Sequence, residues 1–211
     1  VTRRGVAPHI EGRVVERVEL RREGLRWPFP EGLATLLAGR TVLRTARRGK
    51  YLLIVFEHGT LIVQLGMSGH LRVLPAGTPA KLHDHFDLVV RKTAKAGDSP
   101  GGTVPNINGT DTGPLVLRLT DPRRFGAVLW HPAAEGPVDQ HLLLRGLGVE
   151  PLGDGFSGEL LYKESRRRNA PIKQVLLAGD IVVGVGNIYA CESLFRAGIN
   201  PKTPAARIGR A

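Results

Sequence analysis

The sequence has 211 residues, 42% of them hydrophobic, and carries 30 lysines and arginines against 19 aspartates and glutamates, a formal charge of +11. That is enough apolar chain to bury a core in one large or two small domains, and such a cationic excess points to a polyanionic partner, most often nucleic acid. The single cysteine, Cys191, excludes an internal disulfide and a cysteine zinc site within these residues and favours a reducing compartment; no apolar run is long enough to span a bilayer, and no strongly basic amphipathic helix points to a membrane surface.

The opening stretch, VTRRGVAPHI, reads as part of a helix, and the chain closes on RIGRA without a further element. Both ends are therefore expected to be cut. From Thr41 the pattern is β. Tyr51 to Phe56 is an apolar strand of a sandwich or barrel, and Glu57-His58-Gly59-Thr60 is a hairpin turn into the next apolar run. HFDLVVRK and PLVLRLT are two further strands. The intervening residues, 92–113, are rich in Gly, Pro, Asn, Thr and Asp and read as a surface excursion, a tolerated insertion before a binding loop.

After Trp130 the segment HPAAEGPVDQ is linker-like, and the pattern then turns helical. This predicts a β-rich domain over 1–135 and a helical domain over 136–211. Asn169-Ala170-Pro171 opens a helix with Ile172, Val175 and Leu176 on one face, ended by Gly179-Asp180. The loop IVVGVG leads to a second helix from Asn187, with Ile188, Cys191, Leu194 and Phe195 on one face and Gly198 at its end.

Several clusters could carry chemistry. VVGVGN lacks the third glycine and the βαβ setting of a dinucleotide fingerprint. It suits backbone-phosphate binding instead: glycines allow close approach, Asn187 could cap the helix, and the helix N-terminus offers free N–H groups. A plain helical hairpin is as good a reading for this motif alone. Arg166, Arg167, Arg168 and Lys173 gather just upstream, where phosphate contact outweighs a merely solvated face. Lys50 stands at a strand entrance beside Arg47 and Arg48, as a solvated end, a phosphate ligand or a proton carrier.

His83, Asp84 and His85 could place two imidazoles on one side of a strand, but no third metal ligand is evident; a histidine on phosphate, held by the neighbouring acid, is the better reading. Met67 lies between Gly66 and Gly69 and could act as a flexible wedge rather than core filler. TDPRRFG, residues 120–126, sets two arginines beside Phe125 on a turn. Enzymes that act on a base must extrude it, and apolar wedges then hold the stack open. Phe125 would wedge, Arg123 would replace the lost base and Met67 would fill the hole. The plainer alternative packs Phe125 on the sandwich beneath two solvated arginines, and the motif alone slightly favours it.

RRGKYLL, LGMSGHLR, HDHFDL, TDPRRFGA, LGVEPL and VVGVGNIYACESLFRAGINP follow in this order. Together they resemble the formamidopyrimidine-DNA glycosylase family of bacterial base-excision repair, over nearly all of the chain outside 92–113. The resemblance implies an α+β protein: an N-terminal two-layer β-sandwich with flanking helices, and a C-terminal helical domain with a helix–two-turns–helix motif. It implies removal of oxidised purines, 8-oxoguanine and formamidopyrimidines, from double-stranded DNA, with β/δ-elimination at the abasic site.

By motif, Lys50 matches the lysine of β-elimination; His83, Arg123 and Arg168 match DNA-contacting positions, joined by Lys173 of the cation run; Asn187 matches a phosphate-gripping asparagine. Met67, Arg123 and Phe125 match a void-filling trio. Gln64 stands where the family commonly has a phosphate-binding histidine, which weakens that contact. The family's N-terminal proline nucleophile and its four-cysteine zinc finger have no counterpart in these residues. The chain is thus expected to be an inactive fragment without a metal, zinc belonging to the complete protein. A monomer in the bacterial cytoplasm, at the nucleoid, is expected. The alternative is a non-catalytic nucleic-acid-binding protein that keeps the fold and the phosphate clamp.

Overall fold

A computed structural model describes residues 1–92 and 113–209. The surface excursion expected over 92–113 lies, but for its end residues, outside that range. The chain divides into two compact units, Val1–Arg47 with Tyr51–Val138, and Arg48–Lys50 with Asp139–Ala211. The division falls at Val138/Asp139 rather than 135/136 because Ala133 N donates to His58 O and His131 bonds Gly136 O, which keeps this stretch on the first unit. Arg48–Lys50 belongs with the second unit, where Gly49 N donates to Glu150 Oε1 at 2.7 Å and Arg48 to Leu147 O at 2.7 Å.

The first unit holds helices α1 (Thr2–Ile10) and α2 (Leu33–Leu37) and strands β1 (Val14–Leu20), β2 (Arg44–Arg48), β3 (Tyr51–Phe56), β4 (Gly59–Gln64), β5 (His70–Pro75), β6 (Asp84–Arg91), β7 (Leu115–Thr120) and β8 (Ala127–Pro132). They form two antiparallel sheets, ordered β1-β6-β7-β5 and β2-β3-β4-β8. Alternation sends Phe86, Leu88 and Val90 of β6 and Leu115, Leu117 and Leu119 of β7 into one core with Leu52, Ile54 and Phe56 of β3 and Leu61 and Val63 of β4. Val6 and Ile10 of α1 and Leu33 and Leu37 of α2 complete it. Each such side chain contributes roughly 1.5–3 kcal/mol.

β1 has no clear strand signature, because VVERVEL puts charges where alternation would want apolar residues. The outer face of its sheet is polar and buried. There Arg118 meets Asp87 with Nε to Oδ1 at 2.9 Å and Nη2 to Oδ2 at 2.7 Å, and Arg21 reaches both Glu19 and Asp87. Arg118 also donates to Thr78 O and Pro79 O, which straps the 76–83 connection over the sheet.

The second unit contains α3 (Gly158–Ser165), α4 (Ile172–Ala178) and α5 (Asn187–Arg196). Ser157 caps α3 by accepting from Leu160 N at 3.1 Å. Ile172, Val175 and Leu176 of α4 pack with Ala190 and Leu194 of α5 and Ala205. The expected face of α5 is corrected here: of Ile188, Cys191, Leu194 and Phe195 only Leu194 is buried. α4 and the segment Ile199–Ala205 meet the helix on its Ala190–Leu194 side, one position round from the bulkier residues. No helix among the described residues is long and apolar enough to cross a membrane.

Candidate nucleic-acid interface

In the first unit, β7 stops at Thr120 and β8 resumes at Ala127, and TDPRRFG makes the turn between them. Its foundation is Asp121, which has no exposed surface. One carboxylate oxygen accepts from Ser68 Oγ at 2.6 Å and the other from Gly126 N at 2.8 Å. Its backbone O accepts from His85 Nε2 at 3.0 Å and Arg124 N at 3.2 Å. Arg124 alone among the described non-glycine residues has a positive φ, 58°. That twist separates its side chain from those of its neighbours, at a backbone cost tolerated only where the surroundings enforce it.

Phe125 is 49% exposed and Met67 is 73% exposed. Neither packs in the core, so the reading of Phe125 as a sandwich residue does not hold. Arg123 lies over the Phe125 ring, 5.8 Å from its centroid. Gly66 lets the two loops close up, since a Cβ there would stand 2.6 Å from Phe125 C. Ser68, 55 residues from Arg123 in sequence, joins Met67 to the turn in space, with Arg123 N donating to its Oγ at 3.3 Å.

His83 is exposed beside this edge, its ring 6.4 Å from that of buried His85. The neighbouring acid does not hold it: Asp84 accepts from Thr120 Oγ1, from Lys81 N at 2.8 Å and from Arg72 at 3.2 Å. Asp84 lies on the sheet's outer face, paired across to Thr120, and is committed there. Burial, reinforced by the Arg22 and His83 charges, holds the His85 imidazole below its ordinary range despite its bond to Asp121. Gln64 ends β4, and its Oε1 is buried without a hydrogen-bond partner.

A feature with no motif of its own lies against the turn. Residues 22–28 and Arg124 line a shallow basin of about 470 Å3 that presents Arg22, Arg26 and Arg124 with Trp27 and one acid, Glu23. Arg26 N donates to Gly126 O at 3.1 Å, and the Arg26 guanidinium stacks over Trp27 at 4.7 Å. None of the three arginines has a carboxylate partner among the described residues. Unpaired guanidinia at one edge are suited to phosphate.

In the second unit, Lys50 is exposed and its Nζ donates to Val185 O at 2.9 Å, beside Gly186. The loop between α4 and α5 turns at Gly179 (φ 78°) and Gly184 (φ 87°), with Ile181 to Val183 buried and bonded to Val149. Asn187 is not the cap of α5. Gly186 occupies that position with no side-chain cap, so the side chain of Asn187 stays exposed at the first turn. Arg168 pairs with Asp180 at 2.7 Å, both about a third exposed, and Lys173 is half-buried nearby in sequence at the start of α4. Arg166 is drawn away from the cation run to Ala206 O and the Tyr162 ring. A cavity of about 920 Å3 lies elsewhere in this unit and is lined by apolar side chains such as Leu161, Ile172 and Leu194.

No group of three or more His, Cys, Asp and Glu among the described residues could hold a metal. The zinc implied by the resemblance needs four cysteines, and Cys191 is the sole cysteine of the sequence, so the residues present do not fit it.

A sandwich with an exposed arginine–aromatic turn, joined in one chain to a helical unit whose two helices flank a glycine loop, defines a DNA-repair glycosylase type of architecture. The chain belongs to the formamidopyrimidine-DNA glycosylase family: residues 1–128 match its N-terminal domain and residues 147–211 its H2TH domain. It is 63% identical over 211 residues to a formamidopyrimidine-DNA glycosylase of Janthinobacterium sp. (strain Marseille), covering 100% of this chain and 69% of the relative. It is 64% identical over 209 residues to one of Herminiimonas arsenicoxydans, covering 99% and 68%. Among solved structures, Lactococcus lactis Fpg in complex with DNA containing an abasic site is similar with a TM-score of 0.81 at 26% identity, covering 99% of this chain and 69% of that one. The same enzyme with FAPY-dG-containing DNA also gives 0.81 at 26% identity, covering 99% and 70%.

Proposed function

We propose that the protein acts in base-excision repair, removing oxidised purines such as 8-oxoguanine and formamidopyrimidines from double-stranded DNA and cleaving the resulting abasic site. The observation that carries this reading is the exposed trio Met67, Arg123 and Phe125 on a buried polar foundation, in a chain of this family. Extruding a base leaves a void in the stack. Phe125 wedges beside it, Met67 fills it, and the Arg123 guanidinium hydrogen-bonds the base left without a partner. His83, Gln64, Arg168, Lys173 and Asn187 take phosphates, and the unpaired Arg22, Arg26 and Arg124 extend that contact. Lys50 serves as the proton carrier of β-elimination, its ammonium set by the Val185 carbonyl. The Lactococcus lactis complexes with abasic-site and FAPY-dG DNA support the choice of partner.

Lyase chemistry needs an amine that attacks the sugar and forms a Schiff base. The terminal proline implied by the resemblance is not among these 211 residues. The test therefore compares this 211-residue polypeptide with one carrying a relative's residues at both ends, on 8-oxoguanine and undamaged duplexes. The extended polypeptide is expected to excise the base and give a borohydride-trapped adduct, and the 211-residue polypeptide to bind without an adduct. Binding without lesion preference or excision by either would leave a non-catalytic nucleic-acid binder. An adduct from the shorter polypeptide that vanishes in Lys50→Ala would move the nucleophile to Lys50.

A further inference from the structure

Met67 stands on one loop and Arg123 with Phe125 on another, yet a single buried carboxylate ties both loops together. Asp121 accepts from Ser68 Oγ, on the Met67 loop, and from Gly126 N, at the far end of its own turn. The Ser68 oxygen is used twice, as it also accepts from Arg123 N. We propose that Asp121, acting through Ser68, is a positioning residue that makes Met67, Arg123 and Phe125 enter the duplex as one rigid unit. This rests on the glycosylase reading above.

The chemistry of the position allows little else. An ionised carboxylate accepts on both oxygens and donates nothing. Asparagine with its oxygen on the Gly126 N–H would have to turn its NH2 toward the Ser68 hydroxyl, which would then accept instead of donating, and the charge-assisted bond between the loops would be lost. The surrounding backbone prevents the loops from sliding to compensate. A Cβ on Gly66 would stand 2.6 Å from Phe125 C, one on Gly126 2.7 Å from Gln64 O, and one on Gly69 2.2 Å from Leu65 O. The Asp121 backbone is itself fixed by His83 O, His85 Nε2 and Arg124 N. A wedge held this way loses less freedom on insertion, and its three side chains act together.

Coupling distinguishes this role from simple folding support. Ser68→Ala removes the bridge and leaves the Gly126 contact, so the melting temperature should fall by several degrees, as expected for one buried acceptor left without its donor, while the protein stays folded. The preference for an abasic-site or 8-oxoguanine duplex over undamaged duplex should fall roughly tenfold, with undamaged binding unchanged. Ser68→Thr, which keeps the hydroxyl, should restore it. Met67→Ala should cost clearly less in the Ser68→Ala background than in the parent, and 2-aminopurine placed opposite the lesion should report weaker unstacking. Asp121→Asn, which leaves only neutral hydrogen bonds between the loops, should move the same readouts in the same direction by less, and if it fails to fold, the Ser68 variants decide alone. Additive losses from Met67→Ala and Ser68→Ala, or equal weakening on both duplexes, would overturn the coupling while leaving the glycosylase reading intact. A parent polypeptide with no lesion preference would overturn both.

Discussion

The outer face of the β1-β6-β7-β5 sheet and the edge formed by residues 22–28 and 121–126 are both rich in arginine, and they use it in opposite ways. On the sheet, Arg118 and Arg21 share Asp87, and Arg72 meets Asp84 and Thr120. Burial pushes the Asp87 and Asp84 carboxyls up, but hydrogen bonds from Arg118 and Arg21 to the one, and from Thr120 and Lys81 N to the other, outweigh it, and both sit below their ordinary range. At the edge, Arg22, Arg26, Arg123 and Arg124 have no carboxylate partner among the described residues. Neutralised arginines hold the fold; the unpaired ones carry the positive potential that a polyanion meets. Net charge alone, which both regions feed, does not separate the two uses.

Breaking the paired region should have the largest effect. Asp87→Ala leaves the Arg118 and Arg21 guanidinia facing each other without their shared acid, and should cost on the order of 3–5 kcal/mol in urea unfolding. Replacing Asp87 and Arg118 together by leucine and methionine should recover much of that loss, since burying a charge pair gains little over well-packed apolar groups. A double variant as unstable as Asp87→Ala would show that the strap to Thr78 and Pro79, rather than the charge pair, holds this face.

The unpaired edge should respond in the other observable. Arg124→Gly suits the backbone at φ 58° and removes one cation. Stability should stay within about 0.5 kcal/mol of the parent, while the slope of log binding constant against log salt on any duplex should drop by about one. An unchanged slope would mean that the basin faces no phosphate. Arg168 stands between the two cases, paired with Asp180 at a third exposure. Arg168→Ala should lower the slope by at most about one unit, at a stability cost no larger than the ~0–1 kcal/mol of a screened surface pair. Asp180→Asn, which frees the guanidinium, should tighten binding slightly to all duplexes.

The sequence made the ends of this comparison readable and hid its middle. TDPRRFG could be placed on a turn because an apolar strand precedes it, and Phe125 and Met67 stood out as apolar residues flanked by glycine and charge. The β3–β4 hairpin and the α4 face followed from period and turn residues. Asp121 gave no sign of its role, since an Asp-Pro pair in a turn is ordinary and its partner Ser68 lies on another loop. β1 was obscured because the register shift between Val15 and Arg17 breaks the apolar alternation at Glu16, while Arg17 and Glu19 lie on the face of the ion network. The basin at Arg22, Arg26 and Arg124 needs two loops brought together, which spacing along the chain does not express. On α5 the larger apolar residues Ile188 and Phe195 point to one face by size, whereas packing uses the small Ala190.

The smallest expected effect lies where the two regions meet, at His85. It is buried on β6, donates to Asp121 O, and is held below its ordinary value by burial and by the charges of Arg22 and His83. The folded protein therefore keeps His85 neutral while the unfolded chain takes up a proton near pH 6.5. The unfolded state binds more protons, so stability falls as pH drops through that value and continues to fall until the folded imidazole is protonated too. The depressed carboxylates act in a separate window, since their contribution is present above their ordinary value of 3.8 and is lost only as pH falls below it. Between about pH 7.5 and 5.5, then, the change in unfolding free energy should contain a His85 contribution and none from the ion network. His85→Gln keeps an N–H for Asp121 O without a titrating group, and should flatten the profile in that window relative to the parent. Lesion preference at the lower pH should likewise survive better in His85→Gln, because the platform under Arg123 and Phe125 no longer sits on an imidazole that is pressed to take a charge. Parallel profiles for the two proteins would show that His85 meets enough water or relaxation to accept its proton at no cost to the fold.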